Sequence, residues 1–457
     1  MTLSEICAID PASQPIISVS GLRGLIGCQL TPWVVTRYVS AFCSQLPRGT
    51  IVVARDGRQS GEMLARSVTA TLMANGFDAV DCGVAATPTV GVLIRNIQAV
   101  GGIQISASHN PIEYNGLKLF NAEGRVIPAI DGRKVLDAYH QGLARWVSVN
   151  HVGSLLRHPD PHSPHEESIL AQVDVERIRN RRFRVLLDSN RGAGSLLGTS
   201  LLEKLGCHVE VLGDSPDGRF EHTPEPIAEI LQGVGRSVVE GRFDIGFCQD
   251  PDADRLALID EKGQYIGEEY TVALCMQNVL SKRQGPVVVN CASSLMNRWV
   301  ASQAGVPFFQ SSVGEANVVD MIREKSAVFG GEGNGGPIEP RVGWVRDSFV
   351  GMAYVLEWMA TKGKTLSQLV SAIPATTMIK SKMELSGDKL AASVEKLRTG
   401  MKADSISTLD GVRLAWEDRW ILLRGSNTEP IVRLIAEAPT RAQAEELIRS
   451  AQTIIES

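Results

Sequence analysis

One pattern recurs three times in this chain and limits what it can fold into. Each copy opens with a β-branched strand running into a polar, small-residue loop: Thr50-Ile-Val-Val-Ala-Arg-Asp-Gly57, Phe183-Arg-Val-Leu-Leu-Asp-Ser-Asn190 and Pro286-Val-Val-Val-Asn-Cys-Ala-Ser293. A helical stretch follows and ends near a glycine that opens a second strand, at Gly76, Gly206 and Gly305. Glycine suits the left-handed residue that commonly closes a helix. A third strand in each copy then runs into an unusual loop: Ser106-Ala-Ser-His-Asn-Pro111, Asp250-Pro-Asp-Ala-Asp-Arg255 and Gly330-Gly-Glu-Gly-Asn-Gly-Gly336. Strands alternating with helices point to α/β domains with mixed, mainly parallel sheets, where ligands gather at the carboxyl ends of strands. All three odd loops are expected at such ends.

The remainder departs from this unit. Pro374 closes a helix, and a charged segment runs from Lys380 to Lys402. Two strand-like runs, Trp420–Arg424 and Ile431–Ile435, flank Gly425-Ser-Asn-Thr-Glu-Pro430, and an amphipathic helix runs from about Ala442 to the end. This reads as a smaller α+β domain. The His-, Pro- and Ser-rich stretch from His151 to His165 reads as a linker. The expected domains are therefore 1–155, 163–260, 261–373 and 374–457.

Bulk properties narrow the class. The 457 residues, 44% hydrophobic and 21% charged, are those of a soluble globular protein. A net charge of −5 provides no general basic field for nucleic acid or anionic membrane. There is no apolar run near the ~18 residues of a spanning helix, and the start of the chain lacks a signal-peptide pattern. The eight cysteines are scattered without metal spacing, as expected of reduced thiols in a cytoplasmic protein.

The loops carry the chemistry. Pro111 biases Asn110 toward an extended or turn conformation, so Ser108 is expected on a sharp loop beside His109. By itself that loop is either a plain connector or a phosphoryl carrier. Asp250, Asp252 and Asp254 alternate with residues that offer no competing polar group. Two like charges ~4 Å apart repel by roughly 4 kcal/mol at an effective dielectric of ~20, so converging carboxylates need a cation. An all-oxygen set favours Mg²⁺ or Ca²⁺. Glu261 stands at the twelfth position from Asp250, as in an EF-hand, but Arg255 occupies the sixth, where that loop needs glycine. Mg²⁺ is the better reading, and Arg255 is placed to grip a phosphate oxygen.

The glycine-rich loop is no Walker motif, because no Gly-Lys-Ser/Thr follows. Glu332 and Asn334, expected to project from it, suit sugar hydroxyls. Arg424, Ser426, Asn427 and Thr428, with Arg433 nine residues after Arg424, resemble an anion nest for a phosphate. Arg23 between glycines and Lys118 after the serine loop are cations that can steady a transferring phosphoryl group or help a proton move, or are ordinary surface charges.

In this combination the chain resembles the α-D-phosphohexomutase superfamily over essentially its whole length, with four loops in family order. Ser106–Pro111 is similar to the phosphoserine loop, with Ser108 at the phosphorylated position. Asp250–Arg255 is similar to the magnesium loop, Gly331–Gly336 to the sugar-specificity loop and Arg424–Pro430 to the phosphate-binding loop. The resemblance implies three similar α/β domains and a smaller fourth around one cleft. It also implies a phosphoseryl enzyme, Mg²⁺ held by Ser108 and the three aspartates, a hexose 1,6-bisphosphate intermediate or activator, and a sugar-phosphate substrate. His109, Lys118 and Arg23 would handle protons or charge.

Two departures bear on the sugar: the phosphomannose/phosphoglucose branch commonly has a histidine where this chain has Gly336, and another where it has Glu315. The glycine-rich loop resembles archaeal-type phosphoglucosamine or broad-specificity mutases, and Glu315 could meet an amino-sugar ammonium. Glucosamine phosphate is the favoured substrate, with mannose or glucose phosphate next. A Mg²⁺-dependent sugar phosphatase and a non-catalytic sugar-phosphate sensor are the other classes. A monomer or homodimer is expected.

Overall fold

The computed structural model describes residues 15–18, 21–383, 387–425 and 432–456. The three repeats form three sheets on one plan. The central strands are Thr50–Arg55, Arg184–Asp188 and Val287–Asn290. On one side each pairs in parallel with a second strand, Asp78–Val84, His208–Leu212 or Phe308–Ser311. On the other side each pairs in parallel with a third, Gly101–Ile105, Ile245–Gln249 or Phe329–Glu332. Each third strand then turns back into an antiparallel fourth, Tyr114–Asn121, Leu256–Asp260 or Gly336–Ile338. The three unusual loops are thus the same hairpin turn in three settings.

The first sheet is extended to seven strands. Gly21–Leu25 and Ile16–Ser18 add antiparallel beyond the fourth strand, and Leu155–Arg157 adds in parallel beside the second. Alternate side chains bury on opposite faces, as a sheet covered on both sides requires. Ile51 and Val53 pack with residues of helices Pro32–Ser44, Ser60–Ala74 and Ala129–Gln141. Val52 and Ala54 pack with helix Thr87–Asn96.

The second and third sheets share a continuous core: Leu187, Phe247 and Leu258 of one join Val287, Val289 and Phe329 of the other. Helices Glu268–Lys282 and Ser348–Lys362 belong to this core. The second is apolar around its circumference, the composition of a helix with no solvent face. Asp347 caps it by accepting from the Phe349 and Val350 N–H groups, at 2.9 and 3.2 Å. That cap fixes where the preceding Arg346 sits.

The last domain is a five-stranded antiparallel sheet, in the order Thr377–Met383, Val432–Ala438, Trp420–Gly425, Val412–Ala415, Ser405–Ser407. Helices Gly387–Gly400 and Arg441–Glu456 complete it. Buried Glu437 locks it to the third domain, accepting from the Leu295 N–H at 2.8 Å and the Trp420 indole N–H at 2.6 Å.

Three expectations need correction. The charged segment from Lys380 is the end of a strand followed by a helix; its alternating exposure marks a half-covered edge strand. The stretch from His151 to His165 contributes the edge strand Leu155–Arg157 and the start of helix Ser163–Leu170. His165 is fully buried between Thr89 Oγ1 (3.0 Å) and Asp347 Oδ2 (2.7 Å). The glycine run is also no free loop, since Gly330 and Gly331 lie inside the strand Phe329–Glu332. A Cβ on Gly330 would meet Ile322 Cδ1 at 2.6 Å and the Val288 carbonyl oxygen at 2.7 Å, so glycine lets helix Glu315–Glu324 close on the sheet. No helix among the described residues is long and apolar enough to cross a membrane.

Candidate active site

Ser108 follows the third strand of the first sheet and sits at φ 51°, a left-handed conformation uncommon outside glycine. The surroundings hold it there. Its N–H donates to Ser106 Oγ at 2.9 Å, and Ser106 Oγ donates to Asp56 Oδ2 at 2.6 Å. Arg58, wholly buried, donates from Nη2 to the carbonyls of Ser108 and Asn110, both at 2.6 Å. From Nη1 it donates to those of Pro111 (2.6 Å) and Tyr114 (3.1 Å). Asp56 fixes the guanidinium through Nε at 3.1 Å, and the Phe220 ring lies 5.0 Å from it. Sequence reading passed over Arg58. The clue was the cluster of three charged residues in Arg55-Asp-Gly-Arg58, at the end of a buried strand.

Across the domain boundary, Ser108 Oγ donates to Asp250 Oδ2 at 2.8 Å and lies 3.2 Å from His109 Nδ1. Asp250, Asp252 and Asp254 are buried, with a ligand atom of each within 4.8 Å of the others. Their loop turns at Ala253, φ 55°, and folds onto Asp250 Oδ1, which accepts the N–H groups of Asp254 (3.2 Å) and Arg255 (3.1 Å). Asp252 Oδ2 accepts from Thr87 Oγ1, at the first turn of helix Thr87–Asn96, and from Lys118 Nζ. Asp254 Oδ2 accepts from Lys118 Nζ at 3.0 Å and Arg346 Nη2 at 2.6 Å.

The other oxygen of two aspartates, Oδ1 of Asp252 and of Asp254, is buried without a hydrogen-bond partner. A buried carboxylate oxygen with no donor is costly. Three converging carboxylates with such oxygens fit a hard divalent cation such as Mg²⁺.

The charges respond as this crowding demands. Burial first, then Asp252 and Asp254, push the Asp250 carboxyl well above its usual range. Burial also pushes Asp254 upward, but Arg346, Lys118 and Arg255 outweigh it and hold it below. Burial would lower Lys118, yet Asp252 and Asp254 raise it, so it stays a cation. The Arg255 guanidinium, then burial and Arg23, hold His109 well below the usual histidine value, leaving a neutral imidazole.

Arg23 is carried by the strand Gly21–Leu25 and faces Gly116 in register. Burial lowers its pKa, with Asp252 acting against that. Arg255 Nε is buried with no hydrogen-bond partner, 3.8 Å from Asp254 Oδ1.

The third hairpin packs directly on the second: Leu256 N–H donates to the Gly335 carbonyl at 2.8 Å. Asn334 Oδ1 is buried without a donor. Glu332 does not project, contrary to the sequence expectation. It ends its strand with Oε1 accepting from Asn290 Nδ2 (2.8 Å) and the Gly314 N–H (3.0 Å), and Oε2 accepting from Arg346 Nη1 (2.9 Å). Glu315 Oε2 accepts from Arg346 Nε (3.1 Å) and its backbone N–H (3.0 Å), so it meets an arginine where an amino-sugar ammonium was expected. Arg346, unremarked in the sequence, binds carboxylates from the aspartate loop (Asp254), the end of the third-sheet strand (Glu332) and the helix Glu315–Glu324 (Glu315).

In the last domain Arg424 and Arg433 face each other across adjacent strands, and Arg433 in turn faces Lys382. Like charges placed opposite one another are unfavourable without an anion. Arg424 Nε donates to Asp410 Oδ2 at 3.0 Å, and the same oxygen accepts the Val313 N–H at 2.9 Å. Ser426, Asn427 and Thr428 lie outside the described residues. Lys382 was hidden in the stretch read as a charged segment.

Comparison with known proteins agrees with this architecture. Four phosphoglucomutase/phosphomannomutase descriptions match in order: alpha/beta/alpha domain I over residues 15–145, domain II over 163–263, domain III over 268–377 and the C-terminal domain over 378–451. A phosphoglucomutase/phosphomannomutase of Thermococcus kodakarensis is 35% identical over 95% of this chain and 97% of its own. A protein of Methanopyrus kandleri named "Probable phosphoglucosamine mutase" is 33% identical over 94% and 95%. The crystal structure of a phosphoglucomutase/phosphomannomutase family protein from Burkholderia thailandensis superposes with a TM-score of 0.84 at 27% identity, covering 96% and 97%. A fold of three α/β/α domains and a C-terminal domain around buried carboxylates defines a phosphohexomutase class. This chain belongs to the phosphoglucomutase/phosphomannomutase family.

Proposed function

We infer that this protein interconverts the 6-phosphate and 1-phosphate of a hexose by intramolecular phosphoryl transfer, in the cytoplasm. Glucosamine phosphate is the preferred sugar, with glucose or mannose phosphate as the alternative. The observation that carries the reading is the 2.8 Å contact from Ser108 Oγ to Asp250 Oδ2, which joins a strained serine to a buried carboxylate trio across two domains. Relatives named for both sugar classes support the coarser activity.

In the first half-reaction, the bond from phosphorus to Ser108 Oγ breaks and a bond forms to the free hydroxyl of the bound hexose monophosphate. The hydroxyl proton ends on Ser108 Oγ, leaving a hexose 1,6-bisphosphate. After the bisphosphate reorients, Ser108 Oγ takes the other phosphoryl group and its proton passes to the departing sugar oxygen. His109 Nδ1, 3.2 Å from Oγ, is placed to carry that proton. Lys118, held between two carboxylates, serves as a fixed positive charge. Asp250, Asp252, Asp254 and the seryl phosphate would hold Mg²⁺, which would supply positive charge against the transferring group.

Arg255 has a spare buried donor for a phosphate oxygen. The facing Arg424 and Arg433, with Ser426, Asn427 and Thr428, grip the distal phosphate, so much of the rate comes from positioning. Asn334 and Glu332 meet the sugar hydroxyls.

The test is a panel of glucosamine, glucose and mannose 1-phosphates with Mg²⁺ and a bisphosphate primer. Conversion to 6-phosphates, fastest for glucosamine and abolished in Ser108→Ala, is the expected result. Release of inorganic phosphate without 6-phosphate would make the protein a phosphatase. Turnover surviving in Ser108→Ala would remove the phosphoserine step, and no turnover with any sugar would leave a sensor.

A further inference from the structure

Arg346 stands where the two loops that must work together meet. Its side chain is 12% exposed and carries one interaction on each guanidinium nitrogen: Nη2 to Asp254, Nη1 to Glu332 and Nε to Glu315. These carboxylates come from the aspartate loop, the end of the sugar-loop strand and the first turn of helix Glu315–Glu324. Burial works against its charge, but Asp254, Glu332 and Glu315 outweigh the cost of desolvation and keep it a cation. A lysine could not reproduce the geometry, because only a planar fork presents three separated donors in fixed directions.

The aliphatic stem is placed just as firmly. A Cβ on Gly336 would fall 2.4 Å from Arg346 Cδ and 2.7 Å from its Cγ, so a side chain there would have to push the arginine stem aside. The residue's own backbone is pinned by Glu315 Oε2 and by the neighbouring Asp347, whose N–H donates to the Pro337 carbonyl at 2.8 Å. Asp347 in turn bonds His165 and caps a buried helix.

The acceptor count says what this arrangement leaves available. A carboxylate has about four acceptor sites. Glu332 uses three of them, on Asn290, Gly314 and Arg346. The remaining site is on Oε2, the oxygen that Arg346 holds. Whatever Arg346 does to Oε2 therefore sets where a sugar hydroxyl can bond, while its other nitrogen holds Asp254 of the carboxylate trio.

We propose that Arg346 is a positioning residue that fixes the separation and orientation between the sugar-binding carboxylate Glu332 and the aspartate trio at the transfer site. It acts through Glu332 and Asp254, without contacting the reacting phosphoryl group. The inference rests on the mutase reading above.

The experiment measures kcat and KM for glucosamine 1-phosphate in the full-length protein with Mg²⁺ and bisphosphate primer. The variants are Arg346→Lys, Glu332→Gln, the double variant and Gly336→Ala. Arg346→Lys is expected to lower kcat about tenfold or more while KM stays within about threefold, the signature of lost orientation. The double variant is expected to be no worse than the poorer single one, because both act on the same carboxylate. Gly336→Ala retains every charge but displaces the stem, and is expected to lower kcat in the same manner. Parental kcat in Arg346→Lys, a rise in KM with unchanged kcat, or effects that multiply in the double variant would each overturn the proposal. Should Arg346→Lys fail to fold, Gly336→Ala decides: a parental kcat there sinks the idea. An inactive parental protein would refute the mutase reading instead.

Discussion

The serine hairpin of the first sheet and the glycine hairpin of the third occupy the same place in the same strand order, yet they are held by opposite means. The serine loop is braced by side chains: Arg58 spans four of its carbonyls, and Asp56 anchors Arg58 and Ser106. The bracing forces Ser108 to φ 51°, a strain costing about 1–3 kcal/mol that only an over-determined loop sustains. The aspartate loop is built likewise, with Ala253 at φ 55°. In the glycine hairpin the corresponding left-handed residue is Gly335, at φ 81°, where no such strain arises. Its form comes from missing side chains, which let Leu256, Ile322 and Arg346 approach the backbone. A transferring group needs atoms held rigidly against charge. A sugar seat needs backbone brought close.

That contrast can be broken at each loop. The largest effect is expected from the aspartate loop: Asp252→Asn should cost about 10³-fold in kcat, since a fixed charge beside the transferring group is lost. Removal of divalent metal by a chelator should do the same in the parental protein and be reversed by added Mg²⁺. Retention of more than a tenth of the parental kcat in Asp252→Asn would deny that loop its role.

Arg58→Met comes next. It strips four carbonyls of their donor and leaves Asp56 buried without its partner, a loss of about 3–5 kcal/mol in stability. Thermal or denaturant unfolding should show this fall, and kcat should drop by about 10²-fold as Ser108 relaxes. An unchanged kcat in the folded variant would mean that the serine does not need its strained conformation. The smallest effect belongs to the glycine hairpin. Gly330→Ala should cost about 1–3 kcal/mol in unfolding free energy by overpacking against Ile322 and Val288, with kcat reduced less than tenfold. A larger kinetic than structural effect would show that this hairpin also positions the chemistry.

The parts legible in the sequence were those with a local signature. Buried strands such as Thr50–Arg55 announce themselves by β-branched runs, and the aspartate triplet by its own spacing. The strand Thr377–Met383 carries Lys380 and Lys382 on its exposed side and so resembled a charged stretch. Ser405–Ser407 is exposed throughout and offered no apolar pattern. Gly330 and Gly331 have no side chain with which to display a strand's alternation, which made a core strand look like open loop.

By itself, the sequence determined the repeated strand–helix order and the chemical identity of each loop, because both follow from short-range patterns of polarity and turn residues. Tertiary structure decided which groups meet. Arg58 is 50 residues from Ser108, and Arg346 is 92 from Asp254. Such contacts leave no periodic trace, since a buried ion pair is specified by where two elements pack and not by the residues beside either partner. That is also why Glu332, expected to face outward, turns to an arginine that only the folded chain brings to it.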